Sequence, residues 1–264
     1  MSYRAGRGPN VGESLEHLFR PWLVFLSLLP ALGACGTTRI NGTNYVTGCL
    51  DPRFDGVCGH LAEDTTIGGV VYKKGTSVRF DLEGRLRSVW LVVPTLVQGR
   101  VYTGQIPKPR PMSSERLGFS EDGRVVQGML GASAVIYGIT FPPETEVVFR
   151  DDGSLHYVVV DPITVKGITY VGYLSFMDNG QVYRGWLARD TIINGVMLKK
   201  LTRVEFWPSG RLQSGTIAEY LCVEPSTELR VLCPMDRIGY PPGKLVEFAE
   251  DGRVVKVSEP LIPP

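Results

Sequence analysis

Five cysteines and three histidines are the side chains of this 264-residue chain with the most reactive chemistry. Four cysteines fall as close pairs, Cys49 with Cys58 and Cys222 with Cys233, and each pair brackets a short loop. Of the connectivities open to four cysteines, the local one has the lowest closure cost, and each bridge would contribute about 2–3 kcal/mol in the chain-entropy model. Cys35 is then the odd thiol. Neither pair has the C-x-x-C spacing of a zinc or redox site. His17, His60 and His156 have no nucleophile or ligand partner at a recognisable spacing, so surface or packing roles are expected for His60 and His156. The sequence therefore assigns no catalytic residue, no metal site and no cofactor. What remains is a set of aromatic and cationic residues, Trp90, Tyr157, Tyr183, Arg184 and Trp186, of the kind enriched on binding surfaces. The same residues also make ordinary cross-strand pairs on a sheet.

The segment carrying Cys35 has its own pattern. Residues 1–20 are polar, with Arg4, Arg7 and Arg20, and "PWLVFLSLLPALGA" over residues 21–34 carries no charge. That run is shorter than the roughly 20 apolar residues of a membrane-crossing helix, it contains Pro21 and Pro30, and it ends in small residues, which is the form of a secretory signal. "Leu32-Gly33-Ala34-Cys35" resembles the lipobox of bacterial lipoproteins. The resemblance implies cleavage before Cys35, diacylation of its sulfur and a mature chain anchored in a membrane. With Gly36 rather than Asp after the cysteine, it further implies the periplasmic leaflet of the outer membrane in a Gram-negative host. "GTTRINGTN" reads as a flexible tether, and its Asn41-Gly42-Thr43 matches the glycosylation pattern without requiring that role.

Beyond the tether one theme is written six times: "VRFDLEGRL", "LGFSEDGRV", "VVFRDDGSL", "LSFMDNGQV", "VEFWPSGRL" and "VEFAEDGRV". Alternating apolar residues lead to Phe80, Phe119, Phe149, Phe176, Phe206 and Phe248, and a turn glycine follows four residues later. Period-two alternation ending in a polar cluster with Gly is a β-hairpin. The acids clustered before Gly84, Gly123, Gly153 and Gly252 occupy one recurring turn slot, where Asp and Asn bond their own backbone. A longer echo, "LAEDTTIGGVVYKKGTSVRF" from Leu61 against "LARDTIINGVMLKKLTRVEF" from Leu187, gives a repeat of three short strands. Longer intervals hold insertions, the Pro-rich "IPKPRPMSSE" and the stretch around Cys222 and Cys233.

Apolar positions two and seven beyond the turn glycine have opposite parity, so a straight strand would point them to opposite faces. Gly128, Gly185 and Gly215 lie between, which places a bulge or sharp bend there and curls the sheet. The expected fold is all-β, a curled antiparallel meander of about six hairpin repeats, barrel-like or solenoid. The hairpins resemble MORN-type and related bacterial turn repeats, which also set an aromatic before a turn glycine.

The expected organisation is a signal over 1–34, lipidated Cys35 with tether and first disulfide loop over 35–60, a repeat domain over 61–258 and a Pro-rich tail over 259–264. Lys plus Arg number 28 against 27 Asp plus Glu, and that balance offers no field for nucleic acid. The functional expectation is a lipid-anchored envelope module without catalysis, bound to the membrane through its anchor and to an envelope protein or a glycan, or serving as a spacer. An envelope hydrolase with catalytic groups on loops is the alternative.

Overall fold

The computed structural model describes residues 37–40, 43–49, 57–104, 116–223, 229–230 and 239–259. The apolar run, Cys35, the Pro-rich insertion from 106, Cys233 and residues 260–264 of the tail lie outside them. The chain divides after Gly36, and everything described belongs to the compact unit that starts at Thr37.

That unit is all-β. It opens with β1 (Thr37–Ile40), β2 (Thr43–Cys49) and β3 (Val57–Leu61). Most of the stretch expected to be a flexible tether thus joins the sheet, its Thr and Ile residues suiting extended backbone. A hairpin follows, β4 (Thr65–Ile67) and β5 (Val70–Tyr72), and then β6 (Ser77–Phe80) and β7 (Leu86–Trp90). The scheme recurs as β8 (Thr95–Val97), β9 (Arg100–Thr103), β10 (Leu117–Phe119) and β11 (Val125–Leu130). It recurs again as β12 (Ala134–Ile136), β13 (Ile139–Phe141), β14 (Glu146–Phe149) and β15 (Leu155–Val165). The chain continues through β16 (Ile168–Phe176), β17 (Val182–Leu187), β18 (Thr191–Ile193), β19 (Val196–Leu198), β20 (Arg203–Phe206) and β21 (Leu212–Thr216). It ends with β22 (Leu221–Val223), β23 (Leu229–Arg230), β24 (Gly239–Tyr240), β25 (Leu245–Phe248) and β26 (Val254–Ser258).

The strands that carry the sixfold theme form one antiparallel meander, β1-β2-β3-β6-β7-β10-β11-β14-β15-β16-β17-β20-β21-β25-β26, open rather than closed into a barrel. A second tier holds the short hairpins β4–β5, β8–β9, β12–β13 and β18–β19, of which β9 also pairs with β11, and β22, β23 and β24 form a small three-stranded sheet. A full repeat is therefore two hairpins, four strands rather than the three expected from the echoed segments. At the centre the two tiers fuse, because β15 and β16 each continue from the meander into the second-tier hairpin, with a register slip between Val160 and Ile163 on the way.

The six repeated Phe side chains all face the core, none more than 8 % exposed. Val78, Val147, Val204 and Val246 lie two residues before them, fully buried. Tyr72, Tyr102, Phe141, Tyr170 and Leu198 of the second tier close over them, with the Phe141 and Phe176 rings edge to face at 6.2 Å. The turns share one ring. In the first copy the Asp81 N–H donates to the Arg85 carbonyl and the Gly84 N–H to the Asp81 carbonyl, with Gly84 at φ +80°. The acids in the turns act as expected, the Asp152 and Asp251 carboxylates accepting the N–H of Ser154 and Arg253.

The parity change is produced by a bulge in every copy. Register slips between Arg79/Phe80, Gly118/Phe119, Val148/Phe149, Ser175/Phe176, Glu205/Phe206 and Glu247/Phe248. The extra residues are Arg87, Val126, His156, Tyr183, Gln213 and Val255, three beyond the turn glycine. At Gly128 and Gly215 the ladder runs unbroken, so the bend is not at those glycines. Close packing explains them: a Cβ at Gly128 would sit 2.7 Å from the Tyr102 ring, and one at Gly185 2.6 Å from the Tyr170 ring.

Candidate binding face

The face of the meander opposite the core is built by register. Successive strands align Gln127, Val148, Tyr157, Ser175, Arg184, Glu205, Ser214, Glu247 and Lys256 in one row across the sheet. Beside that row Val159 pairs with Tyr173, and Trp186 pairs with Arg203. A hollow of about 380 Å³ lies here, lined by His156, Tyr157, Tyr173, Ser175, Arg184, Gly185, Trp186 and Arg203.

Local sequence explains each presentation. His156 is the bulged residue of its copy, so it leaves the alternation and stands beside its neighbour, their rings 5.3 Å apart. Tyr173 follows Gly172, whose φ of +71° accompanies a second register slip between Val171 and Leu174. The Tyr173 ring is exposed and tilted against Tyr157 at 5.6 Å.

The electrostatics are cationic. Arg184 lies over the Tyr183 ring at 5.6 Å, and no ion pair to Arg184 is found among the described residues. Arg203 holds Glu205 at 3.3 Å, and the other Glu205 oxygen accepts the Ser214 hydroxyl. Partial burial, then the positive fields of Arg150 and Arg184, hold the His156 imidazole below its ordinary pKa. Burial, then the Glu146 and Tyr173 charges, raise the Tyr157 hydroxyl. Stacking rings beside unneutralised guanidinium suit a ligand with flat apolar faces and negative charge.

Of the residues singled out by sequence, Tyr157, Arg184 and Trp186 share the hollow. Tyr183 is the neighbouring bulge residue, and Trp90 lies apart on β7, opposite Ser77. Tyr173, Ser175 and Arg203 are not singled out by the sequence, and His156, expected in a surface or packing role, is exposed and lines the hollow. Their cross-strand alignment gives them away only once the bulge position is known. Elsewhere, Cys49 stands opposite Cys58 in the β2–β3 ladder. Cys222 is buried on β22. His60 donates from Nδ1 to the Gly75 carbonyl at 3.3 Å. Among the described residues no three His, Cys, Asp or Glu side chains converge as metal ligands.

The chain matches no family model, no curated protein and no solved structure.

Proposed function

We propose that this protein is a lipid-anchored cell-envelope module whose repeat unit binds a partner through the hollow around Tyr157, Tyr173, Arg184 and Trp186. The hollow carries the reading. Its side chains occupy positions that the fold leaves free, since the positions equivalent to Tyr157 in the other copies are Ser88, Gln127, Arg184, Ser214 and Lys256. Those equivalent to Tyr173 are Ser77, Arg116, Glu146, Arg203 and Leu245. Tyr157 is the only aromatic at the first slot and Tyr173 the only one at the second, in adjacent copies, so neither ring is demanded by the repeat, and rings beside Arg are the usual composition of a binding anchor. The Leu32–Cys35 motif supports export and acylation, and the two close cysteine pairs suit an oxidising compartment.

The test is crosslinking in cells. The full-length chain with a photo-reactive phenylalanine at position 173 is compared with the same probe at Tyr220, also exposed but outside the hollow. A discrete adduct from position 173 alone is expected. Equal adducts from both positions, or none from either, would remove the hollow from the function.

A further inference from the structure

Resting on that binding reading, we propose that the hollow takes an acidic glycan, a saccharide chain bearing carboxylates. Three observations select this class. First, β14, β15, β16, β17 and β20 are each paired on both sides, so no free N–H or C=O is offered to an incoming peptide strand. A ligand on this face is held by side chains alone. Second, the half-buried ring of Tyr157 and the exposed ring of Tyr173, tilted against each other, form a shallow platform, which fits the C–H faces of sugar rings. Third, the lining is cationic. Arg184 and Arg203 reach the hollow and no acidic side chain lines it; of the carboxylates beside it, Glu205 is engaged by Arg203 and Ser214, and Glu146, whose charge reaches Tyr157, accepts from Gln127. A guanidinium without a carboxylate partner is available for a bidentate pair with one supplied by the ligand.

The proposal also accounts for where the hollow sits. At the central copy β15 and β16 continue from the meander into the second tier through a register slip, and the Gly172 bulge of that passage presents Tyr173. The place where the repeat departs from its own pattern is the place where exposed aromatic and cationic side chains gather.

Titration calorimetry of the full-length chain in detergent micelles decides the matter. The probes are tetragalacturonate, its methyl ester, a tetraglutamate peptide and a thymidine oligonucleotide. Tetragalacturonate is expected to bind, with the ester weaker by about tenfold or more, the loss of one charge-assisted contact. Arg184→Gln should weaken the acid by a similar factor, and Tyr173→Ala should weaken acid and ester together. Both side chains are solvent-exposed, and an unchanged unfolding midpoint shows that each variant folds. Ester binding as tight as acid binding would overturn the glycan assignment, as would tighter binding of the peptide or oligonucleotide, or variants that bind like wild type. A protein adduct from position 173 with no tetragalacturonate binding would overturn the glycan and leave the binding module standing. Absence of both would remove the two together.

Discussion

At the scale of single residues, the repeated Phe and the bulge residue after it do opposite things. Phe176 is buried against Phe141, so Phe176→Ala removes apolar area and leaves a cavity, and the expected loss is about 3–5 kcal/mol by chemical denaturation. The bulged His156 points outward, and its effect is on pH dependence. Its folded pKa lies below the ordinary 6.5, so the unfolded chain takes up the proton more readily. Stability is then lost as pH falls below about 6.5 and regained above it. Denaturation midpoints at pH 7.5 and 5.0 should differ by less in His156→Gln than in wild type. An equal difference would show that His156 does not feel the field of Arg150 and Arg184.

At the scale of elements, the second-tier hairpins show why part of the fold was hidden. Their turns place two residues at positive φ: Gly68-Gly69, Gln98-Gly99, Tyr137-Gly138, Lys166-Gly167 and Asn194-Gly195. Only the first and last pairs carry the composition that marks such turns, so the hairpins were not read as separate units. Tertiary bonds hold three of the non-glycine side chains at these turns. Gln98 Oε1, Tyr137 Oη and Asn194 Oδ1 accept the N–H of Val125, Leu155 and Leu212, each the residue before a bulge. Such partners, 18 to 27 residues away, leave no periodic trace in the sequence. By contrast, the parity change was readable from the apolar positions, while its location was not, because a bulge is defined only against the paired strand.

Two glycine substitutions separate these effects. Asn194→Gly relieves a positive φ but orphans a part-buried N–H, and it should cost about 1–2 kcal/mol. Leu201→Gly relieves a positive φ at an exposed side chain whose counterparts are Gly75 and Gly243, and it should stabilise by up to about 1 kcal/mol. Urea midpoints moving in the same direction for both would refute the role given to the Asn194 carbonyl.

At the scale of the whole molecule, the meander and its six copies were readable because the theme is short, exact in spacing and tied to turn chemistry. The hollow was only partly so: Tyr157, Arg184 and Trp186 stood out by type, whereas Tyr173 and Arg203 join them through register. The compartment bears on everything else. If the chain is exported, Cys49–Cys58 and Cys222–Cys233 are the expected pairs, the first consistent with their facing places in the ladder. Non-reducing peptide mapping should recover both, and a crossed pairing would refute local closure.

The most direct measurement is acylation at Cys35, because an envelope binding module requires the repeat unit to be held outside the cytoplasmic membrane. Each buried acyl methylene adds about 0.8 kcal/mol of membrane affinity, so several chains on one residue make a lasting anchor. Wild type and Cys35→Ser are expressed beside each other with a clickable fatty acid and then fractionated. The expected result is a labelled wild-type chain in the membrane fraction, with the variant losing both label and signal cleavage. An unlabelled wild-type chain in the soluble fraction would contradict the anchor and, with it, the envelope function.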